Sequence, residues 1–153
     1  MKTILSFMGE DHDRLDSIFK DFKNENLDKN KAKGLFHEFK TGLQRHIVWE
    51  EEILFPLFED KTGMHDTGPT AVMRTEHKKI KDFLEKIHIS LANDDIHTSD
   101  LENELIAVLT EHNNKEENIL YPWIDNSVSE KEKEEAFAEM KNLSPEKYNK
   151  CCE

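Results

Sequence analysis

Apolar residues recur every three or four positions along most of this chain, the spacing that gives a helix one buried face. Residues 2–25 predict a first helix, A, on the stripe Ile4, Leu5, Met8, His12, Leu15, Phe19 and Phe22. Helix B is expected over 29–60, on Leu35, Phe39, Leu43, His46, Glu50, Ile53 and Leu57. Helix C is expected over 69–92, on Met73, His77, Ile80, Leu84, Ile87 and Leu91. Helix D is expected over 99–125, on Leu101, Leu105, Leu109, His112, Glu116, Ile119 and Trp123, with Ser99 as its cap. Loops fall at 24–28, 61–68 and 93–95, and Pro69 suits a first helical turn. Pro56 and Pro122 lie inside the patterns of B and D, where each should kink the last turn or free a carbonyl. Gly42 in helix B suits close approach of a neighbouring helix. Ser129 to Glu132 matches a capping box that opens a short helix E, with Phe137, Met140 and Leu143 as its contacts. Ser144-Pro145 starts a last turn.

The pattern is written twice. His46-x3-Glu50-Glu51-x-Ile53-Leu54-x-Pro56 returns 66 residues later as His112-x3-Glu116-Glu117-x-Ile119-Leu120-x-Pro122. Met8 and His12 return as Met73 and His77, 65 residues on, and Asp11 corresponds to Glu76. The chain therefore divides into two helical hairpins, A–B and C–D. Short connections make sequential helices antiparallel neighbours. The expected fold is all-α: an up-down-up-down four-helix bundle over residues 1–126, built from two pseudo-twofold-related hairpins. Residues 127–153 form a helical tail packed on its outside.

Residues four apart on a helix differ by only about 40° in direction. His46 and Glu50 thus point the same way from B, and His112 and Glu116 from D, with His12 and His77 facing them from A and C. A single His-x3-Glu is ordinarily a surface pair, and a lone histidine on an apolar stripe is ordinarily a satisfied core residue. Here the apolar neighbours share the face, and the arrangement is duplicated. Two interior glutamates without compensation would each cost several kcal/mol, against about 5–15 kcal/mol of net stability for a whole domain. A cation removes that conflict. Four imidazoles and two carboxylates are enough for two metal ions. If both glutamates bridge, His12 and His46 serve one ion, and His77 and His112 the other. Room remains for a bridging oxo or hydroxo group and an open position. Imidazole with carboxylate suits iron, with manganese and zinc as alternatives.

The remaining candidates carry less chemistry. His37, His65, His88 and His97 fall off the stripes or in loops and are expected to face solvent. Glu51 and Glu117 lie about 100° round the helix from the ligand glutamates, in solvent or behind the ligands. Asp11 and Glu76 could orient a neighbouring imidazole, but surface charge is the ordinary role for such residues. Trp49 and Trp123 are expected in the core or an interface. Met8 and Met73 should pack over the site.

Composition narrows the function classes. At 153 residues the chain suits one domain, and 36% hydrophobic with 35% charged residues suits amphipathic helices. A net charge of −12 offers no basic face for phosphates, so nucleic acid is not an expected partner. No 18-residue apolar run and no secretory h-region occur, which points away from the membrane and to the cytoplasm. Adjacent Cys151 and Cys152 do not make a disulfide framework.

Together, Asp11-His12-x2-Leu15, His46-x3-Glu50-Glu51-x2-Leu54-Phe55-Pro56, Gly68-Pro69 through Met73-x2-Glu76-His77, and His112-x3-Glu116-Glu117-x2-Leu120-Tyr121-Pro122 resemble the hemerythrin-like, HHE cation-binding family over about residues 1–126. The resemblance implies a four-helix bundle around a non-haem di-iron centre. It also implies His12, His46, Glu50, His77, His112 and Glu116 as ligands, with both glutamates bridging. The implied partner is a small diatomic molecule, oxygen or nitric oxide, or peroxide. Two departures stand out. Oxygen-carrying hemerythrins have a histidine where this chain has Met73, and a His-x4-Asp where it has His112-x3-Glu116. The chain looks like the broader HHE branch, which leaves binding or sensing of oxygen, nitric oxide or iron beside redox catalysis at the same site. A metal-free helical interaction module is the third reading.

Overall fold

In the computed structural model, which describes residues 2–24, 26–95 and 98–149, all regular structure is helical. Helix α1, Ile4–Phe22, begins at a capping box in which Thr3 accepts from the Ser6 amide and Ser6 Oγ accepts from the Thr3 amide at 3.1 Å. Its free Ile4 and Leu5 amides donate to the Asp125 carboxylate at 2.8 and 3.1 Å. A carboxylate there satisfies two orphan donors and complements the helix dipole. Lys23 caps α1, so it ends short of residue 25, which lies outside the described residues.

Helix α2, Lys29–Val48, starts where Asp28 accepts from the Lys31 amide at 2.9 Å. It runs into a π-helical turn, Trp49–Leu54, and continues as α3, Phe55–Thr62. Gly63, at φ 74°, closes α3 in the left-handed conformation that glycine adopts freely. Helix α4, Gly68–Ala92, follows. Helix α5, Ser99–Lys115, runs into a second π turn, Glu116–Leu120, and then α6, Tyr121–Ser127. The residue before α5 is Thr98 rather than the expected Ser99, and the Thr98 hydroxyl donates to Glu102 instead of accepting from the helix amides. Helix α7, Glu130–Lys141, opens on the predicted Ser129–Glu132 capping box, and a 3-10 turn, Pro145–Lys147, comes last.

The π turns correct the sequence reading. In both, the bond spans five residues: Phe55 N–H to Glu50 O, and Tyr121 N–H to Glu116 O. Each turn holds one residue more than an α-helical turn, so the stripe rotates. After Glu50 the next buried apolar residues are Leu54, Phe55 and Phe58, not Ile53 and Leu57. After Glu116 they are Leu120, Tyr121 and Ile124, while the expected Ile119 and Trp123 are 57% and 41% exposed. The prolines supply the reason. Pro56 has no N–H to give, and in an α-helix its ring would strike the carbonyl four residues back. The wide turn lets it sit in the first turn of α3. The Glu51 carbonyl, five residues before Pro56, takes a bond from Arg74 Nη2 at 3.3 Å instead.

Helix α1 packs mainly on α2, and α4 on α5. Gly42 permits the first pairing: a Cβ there would lie 2.8 Å from Leu15 Cδ2. Two apolar clusters fill the interior. One gathers Leu15, Phe19, Phe36, Phe39, Leu84 and Leu105 among others. The second gathers Ile4, Met8, Trp49, Phe55, Phe58, Met73, Tyr121 and Ile124, and includes Met140 from α7. Each fully buried side chain of this size contributes roughly 1.5–3 kcal/mol. The indole of Trp49 donates to the Met140 carbonyl at 3.2 Å, and Phe137 and Leu143 pack at the margin. On every long helix the predicted site residues lie in sequence between members of the two clusters, as His12 does between Met8 and Leu15. They therefore form a polar layer between two apolar ones. Among the described residues, no helix is long and apolar enough to cross a membrane. Cys151, Cys152 and His97 lie outside the described residues.

Candidate metal centre

The structure brings all six predicted residues to that layer. Glu50, Glu116 and His77 are 0% exposed, and His12, His46 and His112 no more than 3%. Donor atoms of Glu50, His77, His112 and Glu116 lie within 4.8 Å of one another, and so do those of His12, His46 and Glu116.

Every one of the four imidazoles is held from behind by a carboxylate on another helix. Asp11 meets His46 Nδ1 at 2.8 Å, and its pseudo-twofold mate Glu76 meets His112 Nδ1 at 2.8 Å. Glu117 meets His12 Nδ1 at 3.0 Å, and its mate Glu51 meets His77 Nδ1 at 2.6 Å. These four side chains thus orient the histidines, where the sequence favoured surface charge for Asp11 and Glu76. Arg14 and Lys115 anchor two of them: Arg14 Nε donates to Asp11 at 3.0 Å and Lys115 Nζ to Glu76 at 2.7 Å. Burial raises the carboxyl pKa of Asp11, Glu51 and Glu76, but their histidine and cationic partners outweigh it and leave all three below the ordinary value.

A carboxylate only accepts, so each Nδ1 carries the proton and a neutral imidazole presents a bare Nε2. Those atoms face the two glutamates. His12 Nε2 lies 3.2 Å and His112 Nε2 3.3 Å from Glu116 Oε1. His77 Nε2 lies 3.1 Å and His46 Nε2 3.8 Å from Glu50 Oε1. Among the described residues, Glu50 Oε1, Glu116 Oε2 and His77 Nε2 have no hydrogen-bond partner despite complete burial. Such a concentration of lone pairs calls for positive charge. Burial alone would lower the histidines, yet Glu116 and Glu50 raise His112 and push His12 up to about 9, and Glu50 and Glu51 push His77 up to about 9. Burial and repulsion from Glu116 raise Glu50. Glu116 is held well below the ordinary value, because hydrogen bonds from Glu50, His112 and His12 overcome its burial. The two carboxyls are thus driven apart in acidity, Glu50 upward and Glu116 downward. The donor set fits cations of the kind that imidazole and carboxylate bind.

Tyr121 is a site residue the sequence reading missed. Its hydroxyl donates to Glu50 Oε2 at 2.7 Å and also lies 3.1 Å from Glu116 Oε1, 3.1 Å from His46 Nε2 and 3.3 Å from His12 Nε2. Burial and the two carboxylates raise its pKa well above the ordinary value. At the equivalent place in the first hairpin stands Phe55, stacked on His77 with ring centroids 5.8 Å apart. Met8 and Met73 are buried in the adjoining apolar cluster, as expected. His37 and His65 are exposed, while His88 is half-buried and partnered.

A helical protein with a buried His/Glu cluster that could hold metal is thus the class that fold and site define. This chain belongs to the hemerythrin HHE cation-binding family, whose model matches residues 3–124. It is 30% identical to an uncharacterized hemerythrin-like protein of Schizosaccharomyces pombe over 132 residues, 86% of this chain and 64% of that protein. It is 36% identical to the iron-sulfur cluster repair protein YtfE of Escherichia coli O81 over 92 residues, 52% of this chain and 40% of that protein. It therefore spans less than two thirds of the length of these relatives. No solved structure matches it.

Proposed function

We propose that this protein holds two iron ions inside an up-down-up-down bundle and uses them to bind or sense a small ligand, oxygen or nitric oxide. In this reading His12 and His46 hold one ion, His77 and His112 the other, and Glu50 and Glu116 bridge them. The observation that carries it is the excess of buried acceptors: four Nε2 atoms and two carboxylates converge, with orphaned atoms on Glu50, Glu116 and His77. Iron at this place would supply a redox-active centre with room for an exogenous donor. The protein's own part is positional. Asp11, Glu51, Glu76 and Glu117 fix the imidazoles, and the two apolar clusters exclude water from the layer. The likeness to an iron-sulfur cluster repair protein favours a second reading, in which the same site does redox work on iron centres.

The test is anaerobic titration with ferrous iron, followed by the optical spectrum on admitting oxygen. About two irons per chain and a ferric spectrum that reverses under argon support reversible binding. A spectrum that does not reverse moves redox chemistry ahead. A protein that takes up no iron defeats the proposal. Within the same reading, Asp11→Ala is expected to weaken metal binding 10–100-fold, because it frees His46 to turn. Competition against a coloured chelator measures this, with exposed Glu111→Ala as the control. Equal affinity in both variants would show that Asp11 does not position His46.

A further inference from the structure

The ligand-type residues of the two halves match in kind, and their orienting carboxylates differ only in Asp11 standing opposite Glu76, until the position after Leu54 and Leu120. There the first hairpin has Phe55 and the second Tyr121. The two phenyl rings are buried alike at 0% exposure, so packing alone does not demand the extra hydroxyl. That hydroxyl has four close neighbours, at 2.7–3.3 Å: Glu50 Oε2, Glu116 Oε1, His46 Nε2 and His12 Nε2. Both imidazoles are tied at Nδ1 by Glu117 and Asp11, so in the state that receives a metal, with neutral imidazoles and ionised carboxylates, all four neighbours are acceptors. A phenol has one hydrogen and satisfies one of them. Hydrogen bonding therefore leaves three lone-pair contacts unexplained, those to Glu116, His46 and His12.

Coordination explains them. Two donors each about 2.1 Å from one first-row ion, at right angles, are about 3.0 Å apart. The contacts from Tyr121 to His12, His46 and Glu116, at 3.1–3.3 Å, have that spacing. We propose that Tyr121 is a further metal ligand, belonging to the His12–His46 position and binding through its phenolate oxygen. The O–H bond breaks as the metal–oxygen bond forms, and the proton leaves to water. The mirror position, His77–His112, has Phe55 in place of a donor. It is accordingly the one with coordination free for an exogenous small molecule. The centre is thus chemically lopsided although its histidines and glutamates are symmetric. This inference rests on the metal-centre reading above and deepens it.

The experiment loads the full chain anaerobically with ferrous iron, oxidises it with ferricyanide, and records iron content, visible absorption and resonance Raman spectra. The wild-type protein is expected to show a phenolate-to-iron(III) charge-transfer band with tyrosinate ring modes. The chain has only two tyrosines. Tyr148→Phe should therefore keep the full signal. Tyr121→Phe should lose it while retaining its iron, since Phe55 already fills the equivalent place. Phe55→Tyr combined with Tyr121→Phe should restore ring modes from the other position. Iron loading without tyrosinate modes in the wild-type protein overturns this inference and leaves the metal centre standing. Loss of the modes in Tyr148→Phe overturns it too, even if Tyr121→Phe does not fold. Absence of any bound iron overturns both readings together.

Discussion

Replacing Glu50 with glutamine is expected to raise the melting temperature of the metal-free protein, and replacing Glu116 to lower it, although each variant should bind at least one iron fewer per chain. The two carboxylates are equally buried, but their surroundings differ. Glu116 faces the Nε2 atoms of His12 and His112 and the Tyr121 hydroxyl. Glu50 Oε1 faces His77 Nε2 at 3.1 Å and His46 Nε2 only at 3.8 Å, and each carboxylate has one oxygen without a hydrogen-bond partner among the described residues. Burial and Glu116 raise Glu50 above its unfolded value, so its charge works against the fold at neutral pH. A neutral amide removes that charge and still accepts from Tyr121. Glu116 is depressed, so its charge contributes stability that is present above the unfolded value of 4.5 and lost as pH falls through the folded one. Glutamine at 116 gives that contribution up at pH 7 and strands two imidazoles. The gain at Glu50 should be about 1–2 kcal/mol and the loss at Glu116 about 3–5 kcal/mol. In a chain of this size these correspond to about 2–8 °C up and about 6–20 °C down. Scanning calorimetry at pH 7 with a chelator present measures both. Shifts of the same sign would refute the opposite roles assigned to the two carboxylates.

Much of this site was open to reading from periodicity, because ligand-type residues stood on stripes whose period is that of a helix and recurred at a fixed offset. The orienting carboxylates were harder. Each sits beside a ligand on its own helix, which is visible, yet it serves a histidine on another helix, which is not: Asp11 follows the line of His12 but holds His46. Their own recurrence, Asp11 with Glu76 and Glu51 with Glu117, was the available signal. The contact of Asp125 with the start of α1 joins residues about 120 apart and leaves no periodic trace. The rotation after the glutamates escaped for another reason. Ile53 and Leu57 continue an α-helical stripe from Glu50, at offsets of three and seven. Leu54, Phe55 and Phe58 continue a π-bulged one, at four, five and eight. Both sets are apolar, and Trp123 supported the wrong one. The prolines two positions past Leu54 and Leu120 were the feature that distinguished them, and the rotation is what turns Tyr121 inward.

Deletion of Glu52 tests that account of the π turn, and it is expected to destabilise the protein by about 3 kcal/mol unless Pro56 is changed with it. Glu52 is exposed and makes none of the contacts described above. Removing it takes out the extra residue of the turn and places Leu54, Phe55 and Phe58 three, four and seven positions after Glu50. That is the α-helical stripe, so the same side chains can still reach the core. Pro56 then stands in a helix interior, where the missing hydrogen bond and the clash with the carbonyl four residues back cost about 3 kcal/mol. In a chain of this length the melting temperature should fall by about 6–12 °C. Pro56→Ala alone should matter little, because Pro56 occupies the first turn of α3 and Arg74 already satisfies the Glu51 carbonyl. Combined with the deletion it should recover most of the loss, giving a coupling of about 2–3 kcal/mol between two sites four residues apart. Thermal melts of the four proteins, measured metal-free, complete the cycle. If the deletion costs the same with alanine at 56 as with proline, the extra residue is not there to accommodate Pro56, and the turn must be held open by the packing of Leu54, Phe55 and Phe58 instead.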